Sequence, residues 1–288
     1  MTKADMLTVL EVIKKTTEFF ATRGIESPRL NAELLIGHAL GLARMQLYVQ
    51  FERPLAPAEL EKIRALVRRR GQREPLQHVL GETEFFGLKL KTDRRALIPR
   101  PETELLVELI VARLATTAPA TILDLGTGTG AIALALAKQF PNAQVTAVEK
   151  SADALALAAE NAAKCELEGR VTWVASDWFA GLPVDARFDL IAANPPYLSA
   201  EETAQAQPEV RDFEPVAALT SSGVDGLDDL RAIVAGAPAR LASGGLLAVE
   251  TGVAQHAELL RLAAAAGFTH AESLQDLSGS DRFVLATL

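Results

Sequence analysis

Cysteine is nearly missing from this chain: Cys165 is the one thiol in 288 residues. An intrachain disulfide framework is therefore excluded, a reducing compartment fits, and the thiol itself reads as a small packing group. Aromatic residues make up only 5%, with two Trp and two Tyr, so an aromatic inside a motif stands out. Histidine is scarce too. His38, His78, His256 and His270 lie far apart with no pair at ligand spacing, and no metal site is expected. No stretch approaches ~18 uncharged apolar residues. Met1 to Lys15 mixes charges with apolar residues and has no continuous apolar run. Neither a signal peptide nor a membrane span is expected, and the protein reads as cytoplasmic. Phosphate-binding Walker loops and serine-nucleophile elbows are absent as well.

Net positive charge is also lacking. The total is −8, which argues against a general nucleic-acid binder. The charge is uneven, however. From Lys62 to Arg100, 11 Lys/Arg face 4 Asp/Glu, an excess of +7 that leaves −15 for the rest. That run is either a solvated face or a patch that steers an acidic partner.

What is present is helical first, then alternating. Residues 1–75 carry apolar residues at helical spacing, such as Val9, Val12, Ile13, Phe19 and Phe20. Breaks fall at Gly24, Ser27-Pro28, Gly41 and Arg53-Pro54. Helix starts are expected near Asn31 and after Ala56-Pro57. Glu84 to Lys91 alternates apolar and basic residues around Gly87, which predicts a β-hairpin connector. A helix should begin at Arg100-Pro101, with two glutamates at its positive end.

From Thr121 the period switches to strand, loop, helix. Strands are predicted over Thr121–Leu125, Gln144–Val148, Val171–Ala175, Phe188–Ala193 and Gly245–Glu250. Helices are predicted over Ala131–Phe140, Ala152–Lys164 and Leu227–Leu241. Ser273–Leu277 and Arg282–Ala286 read as a closing antiparallel pair. The fold class is α/β, with a largely parallel sheet covered on both faces.

Four motifs carry chemistry. Asp124-Leu125-Gly126-Thr127-Gly128-Thr129-Gly130 follows a strand and opens a helix, where glycines let backbone approach a ligand. Its spacing is not the dinucleotide pattern, and a bare tight turn is the plain alternative. Glu149 ends the next strand, 19 residues past Gly130, where such sheets place a carboxylate for ribose hydroxyls. A solvated acid is the alternative there. Asp177 and Trp178 end the third strand. Asp177 could accept from an adenine amino group, and Trp178 could cover a ring or simply pack in the core.

Asn194-Pro195-Pro196-Tyr197 closes the fourth strand at the carboxyl edge of the sheet. Two prolines hold the loop stiff. The Asn194 side-chain carbonyl and the Pro195 backbone carbonyl could both accept hydrogens from one NH2 group and aim its lone pair at an electrophile. Tyr197 offers a flat face for stacking. As a mere strand terminator this tetrapeptide would be costly.

In these residues the chain resembles the class I methyltransferases from about Thr121 to Leu288. Nearly the full chain resembles one family among them, the glutamine methyltransferases of peptide-chain release factors (PrmC, or HemK). Besides the motifs above, Gly81 to Gly87, Ile98 to Glu104, Arg211-x-Phe213-Glu214-Pro215 and Gly279-x-Asp281-Arg282 look like that family.

The resemblance implies a Rossmann-like, seven-stranded class I methyltransferase sheet with a small all-helical N-terminal domain and a hairpin linker. The expected divisions are 1–75 for substrate recognition, 76–98 for the linker and 99–288 for catalysis. It implies methyl transfer from S-adenosyl-L-methionine to the glutamine side chain in the Gly-Gly-Gln loop of release factors, in translation termination. By the same resemblance Gly126, Thr127, Gly128, Thr129, Gly130, Glu149, Trp178 and Asn194 would touch the donor, and Asp177 is expected there from its place at the strand end. Asn194, Pro195, Pro196 and Tyr197 would hold the glutamine, with Asn194, Pro195 and Tyr197 in the catalytic role. The family often has Asp where this chain has Glu149. Phe85, Arg100 and Glu102 have no settled role at this level. Release factors are the expected partner, and no stable nucleic-acid binding is expected. The alternative is an adenine amino-group methyltransferase acting on DNA or RNA, and a third reading is a silent nucleotide-binding module.

Overall fold

The computed structural model describes residues 7–223 and 225–288, so residues 1–6 of the leading stretch read above lie outside it. The chain forms two units. The first runs to Gly81 and also takes in Gln207–Phe213; the second comprises Glu82–Ala206 and Glu214–Leu288.

The first unit is helical: α1 (Val9–Thr22), α2 (Pro28–Leu40), α3 (Arg44–Val49), α4 (Pro57–Gly71) and α5 (Leu76–Leu80). Helix α1 starts where the Thr8 hydroxyl accepts from the Glu11 N–H and the Glu11 carboxylate accepts from the Thr8 N–H. This reciprocal cap satisfies two donors that the helix end leaves over. Helix α2 opens at Pro28, three residues before the expected start near Asn31, because proline is pre-set for the first helical turn. Val9, Ile13, Ile36, Leu47, Leu55 and Ile63 form one core, and Phe20, Ile25, Leu35 and Val79 another. Each such burial contributes about 1.5–3 kcal/mol. The extra segment, α10 (Pro208–Arg211), is held to this unit by Glu209, whose carboxylate accepts from Arg70 at 2.9 Å and from Arg73 at 2.6 Å.

The second unit begins with a hairpin, β1 (Glu82–Phe85) and β2 (Leu88–Lys91), turning at Phe86-Gly87. Helix α6 (Pro101–Arg113) leads into β3 (Thr121–Leu125), α7 (Ala131–Gln139), β4 (Gln144–Glu149), α8 (Ala152–Lys164), β5 (Val171–Ala175) and β6 (Phe188–Ala193). After the short α9 (Ala200–Gln205) come α11 (Asp228–Gly236), β7 (Leu241–Glu250), α12 (His256–Ala265), β8 (His270–Gln275) and β9 (Asp281–Thr287).

The strands make one seven-stranded sheet in the order β5-β4-β3-β6-β7-β9-β8, parallel except for the pairs that β9 makes. Alternation along the strands serves two cores. Ile122, Leu190 and Ala192 pack with α6 and α7 on one face, while Leu123, Ile191 and Ala193 pack with α11 and α12 on the other. One sequence expectation needs correction here. The helix read over Leu227–Leu241 stops at Gly236, since Pro238 cannot supply the next helical N–H, and Leu241 already pairs with Phe188 as the first residue of β7. The strand expected from Gly245 therefore starts four residues earlier and bulges between the pairs Phe188–Leu241 and Leu190–Leu246.

Candidate active site

Sheet order reverses direction between β3 and β6, and the crevice at such a switch point is where α/β sheets bind ligands. Register decides what meets there. Leu125 lies opposite both Val148 and Ala193, and Ala193 lies opposite Val249. The next residue of each strand is then Gly126, Glu149, Asn194 and Glu250, side by side along one edge.

The glycine loop is tightly held. Gly126 has φ +72°, and a Cβ there would sit 3.3 Å from the Trp178 ring. The N–H groups of Gly126 and Thr127 both donate to Val148 O at 2.9 Å, and Gly130 N–H donates to Thr127 O. Gly128 N–H donates to Glu149 Oε2 at 2.9 Å. These amides are spent within the protein, so the loop is no phosphate nest. Thr127 and Thr129 are buried, with the Thr127 hydroxyl donating to Asp124 Oδ2 at 2.6 Å. Asn161, fully buried, donates to Thr129 O and accepts from Lys91 N–H, so it ties the loop to the hairpin.

Carboxylates line this edge. Asp124 is buried and its Oδ1 has no hydrogen-bond partner among the described residues. Burial pushes its pKa up to about 7, and the Glu149 charge adds to the rise, against hydrogen bonds from Thr127 and Ala133. Glu149 Oε1 accepts from Ser151 N–H at 2.9 Å. With one bond on each oxygen, Glu149 is fixed in orientation and keeps a second lone pair on each for hydroxyl groups. Asp177 is exposed and paired with Lys150. Trp178 adopts a left-handed φ of 45° and donates its indole N–H to Asp229 at 3.2 Å.

At the corner after β6, Pro195 is buried while Asn194, Pro196 and Tyr197 are partly so. The Asn194 side chain donates through Nδ2 to Thr103 Oγ1 at 3.0 Å. The Thr103 hydroxyl donates to Glu250 Oε2 at 2.7 Å, and the Tyr197 hydroxyl donates to Glu250 Oε1 at 3.3 Å. Burial and the adjacent Glu250 charge push the Tyr197 pKa up, so the phenol stays neutral. Sequence reasoning missed Thr103 and Glu250. The one available signal for Glu250 was an acid at the end of a fifth parallel strand, the position that picked out Glu149.

The residues left open by sequence also find places. Phe85 is core. Arg100 donates to Glu214, whose other oxygen accepts from Ile98 N–H, so the Ile98–Glu104 run is tied to Glu214. Glu102 sits in the first turn of α6. The basic run is largely engaged by acids: Arg64 with Glu61, Arg69 with Glu74, Arg70 and Arg73 with Glu209, Lys91 and Arg95 with Glu160, Arg100 with Glu214. Among the described residues no group of three or more His, Cys, Asp or Glu could hold a metal, and no helix is long and apolar enough to cross a membrane.

Solved structures share this fold. The 16S rRNA N2 G1207 methyltransferase of T. thermophilus, in complex with AdoMet and guanosine, matches with TM-score 0.53 at 22% identity, over 72% of this chain and 49% of that one. A methyltransferase from Pyrococcus furiosus matches with TM-score 0.50 at 19% identity, over 70% and 89%. The family described as methyltransferase small domain matches residues 102–211, and that described as PrmC N-terminal domain matches residues 11–81. The class is thereby defined: a class I methyltransferase that uses S-adenosylmethionine, built on a Rossmann-like sheet. Release factor glutamine methyltransferases of Geobacter sulfurreducens and Chlorobaculum tepidum are 46% and 42% identical, each over 98% of this chain and 97% and 98% of their own lengths. This chain belongs to the release factor glutamine methyltransferase family.

Proposed function

We propose that the Asn194–Tyr197 corner, beside the Gly126–Gly130 loop at the sheet switch point, binds the glutamine amide of a release factor's Gly-Gly-Gln loop for methylation. That adjacency is the observation that carries the reading. The protein is an S-adenosylmethionine-dependent protein-(glutamine) N-methyltransferase. An edge rich in carboxylates, with Asp124 Oδ1 unpartnered among the described residues and four loop amides spent, suits a cationic nucleoside and not a phosphate. Gly126 to Gly130, Glu149, Asp177, Trp178 and Asn194 would hold that donor. The Glu149 oxygens face the ribose hydroxyls, and the exposed Asp177 exchanges Lys150 for the adenine amino group.

When bound, the donor supplies a methyl on positively charged sulfur, and the C–S electron pair stays on sulfur as the N–C bond forms. The chain's own residues orient the acceptor. Asn194 Oδ1 and the Pro195 carbonyl each accept one amide hydrogen, which draws electron density onto nitrogen and directs its lone pair. Pro195 and Pro196 keep the two acceptors from swinging apart. Tyr197, neutral through burial, stacks on the planar carboxamide. No strong base is required, because the nitrogen is cationic once the new bond has formed and then gives its proton to solvent.

The helical unit is the recognition domain for the release factor, as its match to a family-specific N-terminal domain supports. The net charge of −8 supports transient protein binding and no stable nucleic-acid complex. The cytoplasm, where translation terminates, is the site of action.

Tritium transfer from labelled S-adenosylmethionine tests the assignment. Label should enter a release factor, fail to enter the same factor with its loop glutamine replaced, and fail to enter bulk DNA or RNA. Label in nucleic acid and none in release factor would overturn the reading in favour of an adenine amino-group enzyme.

A further inference from the structure

An asparagine side chain presents a carbonyl on one side and an NH2 on the other, and the two differ only by rotation about one bond. To receive a substrate NH2, the carbonyl must face the substrate. The reverse rotamer would present donor to donor and repel it. Something must therefore fix which way Asn194 points.

The structure holds a chain of groups able to do so. Asn194 Nδ2 lies 3.0 Å from Thr103 Oγ1, and Thr103 Oγ1 lies 2.7 Å from Glu250 Oε2. Thr103 and Glu250 are 4% and 1% exposed, so bulk water has little access to either. A hydroxyl has one hydrogen to give. Glu250 Oε2 takes it at 2.7 Å. The threonine oxygen is left with lone pairs alone, and these accept Nδ2–H and turn away Oδ1. The second carboxylate oxygen accepts from the Tyr197 hydroxyl, so both ends of the corner are keyed to one residue of β7.

We propose that Thr103 and Glu250 are positioning residues: the buried relay Glu250–Thr103–Asn194 locks the Asn194 amide with its carbonyl toward the substrate nitrogen. The relay rests on the role given to Asn194 above and adds two residues outside the glycine loop and the Asn-Pro-Pro-Tyr corner. It also explains a costly burial. Burial pushes the Glu250 carboxyl upward, and the Thr103 hydroxyl, the Arg282 charge and the Tyr197 hydroxyl oppose it, with Glu102 adding to the rise. A buried acid that takes a hydroxyl on each oxygen, with a guanidinium charge nearby, is placed for a positioning role. Bonds in series also polarise one another, so a carboxylate at the far end makes Asn194 Oδ1 a stronger acceptor.

The test combines turnover with a measurement that needs no substrate. Thr103→Val keeps the shape and removes the hydroxyl; Thr103→Ser keeps the hydroxyl. The Val variant should lose about 10-fold or more in kcat on a release factor, with donor Kd changed less than about 2-fold, and Ser should recover most of the loss. Glu250→Gln leaves one oxygen for two donors and should also lower kcat. The double variant Thr103→Val/Glu250→Gln should be no worse than the poorer single one, because both break one relay. Equal activity of Val and Ser variants, or losses that multiply in the double variant, would overturn the proposal. Nitrogen NMR of the Asn194 side chain, read in the substrate-free protein, separates this from the choice of substrate. One Nδ2 hydrogen should show the shift and slow exchange of a hydrogen bond, lost in Thr103→Val. An unbonded Asn194 in the wild type overturns the relay even if release factor is methylated, and a bonded one upholds it even if the acceptor proves different.

Discussion

Asp124 looks, in sequence, like the ordinary acid that precedes a glycine loop, and only burial reveals its chemistry. With no exposed surface its carboxyl is pushed up to about 7, well above the usual carboxylate range. The folded chain therefore binds a proton more tightly than the unfolded one. By linkage, Asp124 favours the fold most below about pH 4, and that benefit is lost as pH rises through about 7. Asp124→Asn keeps an oxygen for Thr127 and Ala133 and removes the titration. The difference in Tm between pH 5 and pH 8 should shrink, while the affinity for S-adenosylmethionine falls; an unchanged difference would show that Asp124 does not titrate there. Gly126, Glu149 and Asn194 could be picked out from residue type and spacing alone because each is tied to a strand end a few residues away. Thr103 could not: it lies 91 residues from Asn194 and 147 from Glu250, and the family-like run Ile98 to Glu104 that contains it does not single it out.

Elements were legible where their own turn chemistry set them. Helix α6 starts at Pro101 as proline and glutamate dictate, and the hairpin turns at Phe86-Gly87, where both residues take positive φ. The end of α11 was not, because the apolar spacing runs on past Gly236 while Pro238 and the pairing of Leu241 with Phe188 decide otherwise. Close approach of elements is likewise invisible beforehand. A Cβ on Gly71, at the end of α4, would fall 2.6 Å from the Phe19 ring on α1. Gly71→Ala gains helix propensity of under ~1 kcal/mol but forces that ring aside, at about 1–3 kcal/mol. The net effect should be a lower Tm for the helical unit; a raised Tm would mean the ring moves freely.

At the scale of the whole molecule, charge offers the clearest contrast between a linear and a folded reading. The excess of basic residues from Lys62 to Arg100 suggests a steering patch, yet seven of those eleven cations pair with acids in the fold. KM for a release factor should therefore change less than about 3-fold between 50 and 200 mM salt, where a protein docking through many phosphate contacts loses roughly 10³-fold or more. A steep salt dependence would return the basic run to the docking surface. Strand and helix periods, the glycine loop and the proline corner are short-range properties, written into runs of a few residues and readable without coordinates. The insertion of β9 between β7 and β8, the pairing of Glu209 with Arg70 and Arg73, and the meeting of Thr103 with Glu250 are long-range. They depend on which surfaces find each other when two apolar faces of one sheet are covered, and side-chain packing settles that.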